Sequence, residues 1–434
     1  MKEMDSKDLK QNIWTADDDK EHPESAMEWW AVEAFFKTDK TNKNFSFKAD
    51  FTEWYINKTK GKGSLFKITL YDAVKDKTYF QDLRDESNRL KSVKDKFDIH
   101  FQESYIKGAY PNYEMYFYDK KNKIEVKLEY KAEAHPHWIA QEITNGWLPL
   151  GLGCYRYGFV PKGKITGTMK YEGKKYKIKG VGYFEHVWGE FTYHKIIENL
   201  KGIKKSIDVY IKLGSNWKKN ININIPNKIV LSNDNNPFGY DWFWAVFENG
   251  WSMFYGNIML WLMQGPVAGP LILTKDGINY EEFYKANFRY NKIKHAKKYD
   301  FFYPTELMLN AKKDNKRIHL KCKMTTDARE YMTKFPKGKY WIGLSICEAP
   351  GIIEGYFQDK KGKTKLKGIC RIEPQRQVSF LGHNKFIITF LKPPKGVGIT
   401  LDVHSHFLKK NLLINLQLSP RPKFKFKTKK FTHK

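Results

Sequence analysis

Arginine is scarce in a chain that is otherwise strongly basic. Only nine of the 77 Lys and Arg residues are arginine, against 48 acids, for a net charge of +29 over 434 residues. Arginine makes the bidentate contacts to phosphates and base edges, so its scarcity argues against sequence-specific nucleic-acid binding. The lysine surplus that remains serves solubility, follows a biased genome composition, or attracts an anionic membrane surface. Cysteine is scarce as well. Cys154, Cys322, Cys347 and Cys370 form no Cys-x-x-Cys pair, and a chain of this length does not depend on a disulfide framework, so they read as buried thiols of a reducing compartment. The first ten residues lack an apolar run of the secretory kind, which makes a cytoplasmic location the expectation, with peripheral membrane association as its variant. One uncharged run, Trp251 to Leu273, is long enough on paper to span a bilayer. It is interrupted by Gly256, Gly265, Pro266, Gly269 and Pro270 and follows the turn signal Asn249-Gly250. It therefore reads as one arm of a hairpin, Asp241 to Glu248 with Trp251 to Met263, followed by a loop after Gln264.

Helical periodicity is also rare, and aromatics reach 16% of the chain. Phe45 to Phe51 alternates apolar and polar residues, as a half-buried strand should. Similar segments are Glu28 to Phe36, Ser64 to Tyr71, Tyr113 to Tyr118, Lys123 to Tyr130, Lys164 to Tyr171 and Lys175 to Trp188. The second half continues with Glu306 to Leu309, Arg317 to Met324, Ile353 to Gln358, Thr364 to Pro374 and Lys385 to Phe390. Short strands separated by turns such as Gly61-Lys-Gly63 and Glu172-Gly173 point to all-β antiparallel barrels or sandwiches. The length exceeds what one core usually supports. Asn199 to Asn236 is rich in Lys and Asn and weakly patterned, which sets the expected domains at 1–235 and 236–434. The basic end, Ser419 to Lys434, alternates Phe with Lys. It fits an edge strand protected by lysines better than a membrane-binding tail.

Two segments carry the chemistry: Tyr183-Phe-Glu-His-Val-Trp-Gly189 and Phe238-Gly-Tyr-Asp-Trp-Phe-Trp244. On a strand, Phe184, His186 and Trp188 share one face and Tyr183, Glu185 and Val187 the other. The same alternation sends the members of Trp29-Trp30 to opposite faces. Asp241 shares its face with Phe243 and Ala245, company that raises a carboxyl toward neutral and suits a proton donor. His186 fits a base that positions water, and Trp188 and Tyr240 fit a cation-facing wall and a hydrogen-bonding partner. The same residues also fit a hydrogen-bonded core histidine and an aspartate paired with a lysine. The His-x-His pairs His135-Pro-His137 and His404-Ser-His406 read as loop or surface histidines. No His or Cys cluster has metal-ligand spacing, so neither metal nor cofactor is expected.

Taken in order, Glu28-Trp29-Trp30, Glu185-His186-Val187-Trp188-Gly189, Tyr240-Asp241-Trp242-Phe243, Tyr303-Pro304 and Glu354-Gly355 resemble the hydroxyneurosporene synthase (carotenoid 1,2-hydratase) and AttH-like family. The resemblance implies two tandem lipocalin-like barrels and proposed active-site residues at His186, Trp188, Tyr240 and Asp241. Glu185 stands where the family usually has Asp, and Arg371 where its last strand tends to carry an acid. The expected activity is cofactor-free hydration or cyclisation of a C=C bond in a hydrophobic isoprenoid- or polyketide-like molecule. Asp241, His186, Tyr240 and Glu185 would carry the chemistry, with Trp188, Trp30, Phe184, Trp242 and Phe243 against the substrate. The alternatives are a noncatalytic carrier of an apolar ligand and a lysine-rich protein of membrane or nucleic-acid surfaces.

Overall fold

The computed structural model describes residues 14–430, apart from 40, 42, 58–60, 151–152, 192–199, 221–227, 232–238, 260–269, 298–300, 335–342, 378–384, 392–396, 406–408 and 420–422. The protein is all-β, with two large curled antiparallel sheets of the lipocalin-like kind and a smaller five-stranded one. It divides into two compact units. One comprises Met1–Asn216, Val246–Phe254 and Ile272–Glu282; the other comprises Trp217–Ala245, Tyr255–Leu271 and Phe283–Lys434. The boundary expected near residue 235 lies outside the described residues.

Most of the first unit is one sheet of thirteen strands. Its strands are β1 (Met27–Thr38), β2 (Asn44–Asn57), β3 (Gly61–Asp72), β4 (Lys77–Asp85), β5 (Lys91–Ser92), β6 (Phe97–Phe101), β7 (Ser104–Ala109), β8 (Asn112–Asp119), β9 (Ile124–Ala132), β10 (His137–Trp138), β11 (Trp147–Leu150), β12 (Gly153–Tyr171) and β13 (Lys174–Glu190). They run β4-β3-β2-β1-β13-β12-β9-β8-β7-β6-β5, with β10 and β11 both paired to β12. The alternation seen in the sequence becomes burial. In β8 and β9, Tyr113, Met115, Phe117, Val126, Leu128 and Tyr130 are buried while Glu114, Lys127 and Glu129 are not. Phe47, Phe51, Phe66 and Phe117 pack in the interior with ring centroids 5.1–6.3 Å apart. Each such side chain stabilises the fold by about 1.5–3 kcal/mol through burial alone.

The single-turn helix α1 (Ala16–Asp19) precedes β1, and its entry is fixed by the Asp18 carboxylate accepting from the Thr15 backbone N–H at 2.7 Å. Among the described residues the longest departure from the strand pattern is a helix, Leu200–Asn220, where the sequence reads only as weakly patterned. It buries Gly202, Ser206, Val209 and Leu213 at spacings of three and four. Its apolar residues Leu200, Ile203, Ile207, Tyr210 and Ile211 recur at spacings of three and four, a helical period that a reading for alternation passes over.

Beyond this sheet the chain forms a ten-stranded sheet that includes Gly239–Phe247, Phe301–Lys313, Gly343–Asp359 and Gly362–Gln377, and a five-stranded sheet that ends on Lys423–Lys430. The Asn249-Gly250 hairpin forms between Gly239–Phe247 and Ser252–Met259; the expected loop after Gln264 falls largely outside the described residues. Lys423–Lys430 is an edge strand pairing with Lys410–Ser419, and all eight of its residues are exposed. All four cysteines are buried and free of disulfides. Among the described residues, no helix is long and apolar enough to cross a membrane.

Candidate functional site

The site grows from the register of β1 on β13. Glu28 lies opposite Trp188 and Trp30 opposite His186. Residues directly opposite in an antiparallel pair share a face, so these four side chains converge. Trp30 stacks on His186 with centroids 4.6 Å apart, and His22, from the segment leading into β1, stacks on Trp188 at 3.8 Å. On the next strand His186 faces Gly158. A Cβ there would meet the Trp14 ring at 2.3 Å and the Trp138 ring at 2.6 Å. Glycine is thus what lets the stacked Trp14 and Trp138 rings pack beside the histidine's strand.

A polar seam runs through these aromatics. The His186 Nδ1 faces the backbone carbonyl of Asp18 at 2.6 Å. A carbonyl only accepts, so Nδ1 carries the hydrogen. Its Nε2 lies 2.8 Å from Glu28 Oε1, and the same oxygen lies 2.9 Å from His22 Nδ1. The His22 backbone N–H also donates to both Glu28 oxygens at 3.0 Å. Burial works to raise the Glu28 carboxyl, but its bonds to His186 and His22 outweigh that and hold it below the ordinary range. Burial pushes His186 down, against the upward pull of Glu28. The Glu28 carboxyl is thus bracketed by two imidazole nitrogens, one from His186 and one from His22.

Asp19 holds the other end of the seam. Its carboxylate accepts from Trp14 Nε1 at 2.9 Å, from the Tyr113 hydroxyl at 2.8 Å and from the Tyr110 N–H at 3.1 Å, while its carbonyl accepts from Trp30 Nε1 at 3.1 Å. Burial raises the Asp19 carboxyl to about 6 despite these bonds. Next to it, Arg156 donates to Asp18 at 2.9 Å and lays its guanidinium 3.7 Å over the Trp138 ring. Tyr113 also lines an open cleft of about 780 Å³ whose inner wall includes Ala16, Phe97 and Tyr130 and whose rim carries charged residues such as Lys20, Asp95, Lys107 and Glu129. Ala16 and Lys20 flank the turn that carries Asp19.

Of the residues expected from the sequence, the structure gathers Trp30, Phe184, His186 and Trp188 on the interior face; Phe184 stacks on Tyr113 at 4.8 Å. Glu185 points to the opposite face. There it accepts from Tyr157, from Tyr183 at 2.8 Å and from Trp29 at 3.0 Å, and burial raises its carboxyl. Tyr240, Asp241, Trp242 and Phe243 belong to the second unit. Asp241 is buried and accepts from Tyr290, while Phe243 packs on Tyr255 at 4.9 Å. Arg371 is buried beside Glu348 at 3.3 Å, so the position where the family tends to carry an acid holds one side of an ion pair. His137 pairs with Glu282 at 2.8 Å and His404 with Asp402 at 3.3 Å; His406 lies outside the described residues.

Sequence reasoning missed Trp14, Asp18, Asp19, His22, Glu28, Tyr113 and Arg156 as site residues. Glu28 had a signal, since it stands two residues before Trp30 and so shares its face. His22 and Asp19 had none, because a turn rather than a period brings them back over β13. The structure also gathers a group with metal-ligand geometry, which no spacing in the sequence reveals. His22, Glu28 and His186 each offer one ligand atom, all within 4.8 Å of one another.

No protein-family model and no curated protein matches the chain. Among solved structures it is similar to an AttH-like protein of Nitrosomonas europaea, with a TM-score of 0.56 and 13% identity over 83% of this chain and 96% of that one. It is similar also to kievitone hydratase of Nectria haematococca, with a TM-score of 0.54 and 11% identity over 83% of this chain and 92% of that one. At such identities the likeness is one of fold: the chain has the tandem lipocalin-like all-β architecture of these two proteins, the architecture that its ordered motifs resemble.

Proposed function

We propose that the first unit adds water across a carbon-carbon double bond of an apolar, isoprenoid- or polyketide-like molecule held in the cleft, with Tyr113 and Asp19 passing the proton. The observation that carries this reading is that Tyr113 both lines the cleft and hydrogen-bonds a buried carboxyl. When Asp19 holds a proton, its O–H donates to the Tyr113 oxygen, and the Tyr113 hydrogen is released toward the ligand. The alkene π pair takes that hydrogen as Asp19 re-protonates the phenol oxygen, leaving a carbocation and a carboxylate. Phe97, Tyr113 and Tyr130 present π faces that stabilise the cation. Water then adds to the cation, and its spare proton returns through Tyr113 to Asp19, restoring the starting state. If an internal double bond reaches the cation before water does, a ring closes, and the new cation loses a neighbouring proton through Tyr113 to Asp19, which restores the starting state. The shared fold with a protein named as a hydratase supports the hydration reading.

The test is to incubate the protein with a panel of isoprenoid and polyketide-like alkenes in ¹⁸O-labelled water and in deuterium oxide, and to follow product mass. Hydration incorporates one labelled oxygen and one carbon-bound deuterium; cyclisation by the same route incorporates deuterium and no oxygen. Asp19→Asn and Tyr113→Phe should each cost at least ~100-fold in turnover with ligand affinity little changed. Asp241→Asn gives the corresponding test of the second unit's acid. Tight ligand binding with no turnover by the unaltered protein would instead favour the carrier.

A further inference from the structure

We propose that His22, Glu28 and His186 form a binding site for one divalent first-row transition-metal ion of the zinc class. The three residues come from the segment before β1, from β1 and from β13, so no motif announces them. Their donor atoms nevertheless converge, all within 4.8 Å of one another. Two imidazole nitrogens and a carboxylate make a donor set suited to zinc, iron or cobalt, and three protein ligands leave a position for water.

The surroundings are those of a ligand set. His186 turns its Nδ1–H onto the Asp18 carbonyl, which fixes the tautomer and aims the Nε2 lone pair at the centre of the group. Histidines that hold metals are commonly oriented by such a bond. Glu28 is held by the His22 backbone N–H, and the His22 ring by its stack on Trp188. Glu28 and His186 are fully buried, whereas the His22 side chain is 23% exposed and supplies an entry path. Both nitrogens now lie 2.8–2.9 Å from Glu28 Oε1. Tetrahedral ligands about 2.1 Å from a metal stand about 3.4 Å apart, so each contact must open by about half an ångström, a shift within the reach of side-chain rotation. None of the three ligands belongs to the Tyr113–Asp19 relay, and the test of the site needs no substrate.

The experiment uses the full chain, stripped with a chelator and then titrated with Co²⁺ under visible absorption and with Zn²⁺ by calorimetry. The expected result is one ion per chain with d–d bands of a four- or five-coordinate site, and binding weakened at least ~100-fold by His22→Ala and by Glu28→Gln. His404→Ala should bind as the unaltered chain does. Absence of Co²⁺ bands and of Zn²⁺ heat in the unaltered chain overturns the proposal, as does binding that His22→Ala leaves unchanged. Should Glu28→Gln fail to fold, His22→Ala decides alone, because its side chain is partly exposed.

Discussion

Asp19 shows how one residue ties stability to chemistry. Its carboxyl rises to about 6 from an ordinary 3.8, with burial as the largest cause. The folded chain therefore holds an extra proton between these values. The resulting stabilisation is complete below about pH 4, shrinks as pH rises, and is gone above the folded value; the shift amounts to about 3 kcal/mol. Asp19→Asn should flatten the stability of the chain between pH 4 and 6, measured as denaturant midpoint against pH; an unchanged slope would mean that Asp19 titrates normally. At pH 7 about a tenth of Asp19 holds its proton, so turnover through the relay should rise about tenfold from pH 7 to pH 5. Gly158 makes a purely steric case. An added methyl must displace two tryptophan rings, and Gly158→Ala should cost about 1–3 kcal/mol of stability through overpacking. Legibility divides along the same line: period two identified His186, Trp188 and Trp30, whereas Asp19 and His22 reach the site through a turn that carries no period.

At the scale of elements, strands were legible wherever one face is buried and the other wet, as in β8 and β9. They were legible as faces but not as partners. Nothing in Met27–Thr38 says that it pairs with Lys174–Glu190, some 150 positions later, and that pairing creates the site. The helix Leu200–Asn220 was legible in the three-and-four spacing of Leu200, Ile203, Ile207, Tyr210 and Ile211, but its many Lys and Asn residues masked that period. Its two faces make a sharp test. Leu213→Ala removes a fully buried side chain and should cost about 2–5 kcal/mol. Ile211→Ala acts on a residue that is 62% exposed and should stay within about 0.5 kcal/mol. Equal costs, by chemical denaturation, would mean that the helix docks on another face. Among the described residues the edge strand Lys423–Lys430 pairs with one neighbour, and removing residues 419–434 should lower the melting temperature while exposing the strand before it as a new edge.

For the whole molecule, charge is the property that no single element holds. A net +29 attracts any polyanion or anionic surface through the summed field. Much of this charge is lysine, a hydrated point charge that does not make the planar bidentate contacts by which arginine reads bases. At least two of the nine arginines are already engaged by acids, Arg156 by Asp18 and Arg371 by Glu348. Attraction without readout follows from this balance. The chain should bind vesicles containing anionic lipid at low salt and leave them as ionic strength approaches 1 M, where the screening length shrinks to about 3 Å. It should bind DNA duplexes of equal length with equal affinity whatever their sequence, losing both affinities together as salt rises. Vesicle binding that persists in high salt would show an apolar anchor, for which exposed Phe424 and Phe426 on the last strand are the first residues to substitute. A duplex preference that survives salt would show base readout, which the charge composition does not supply.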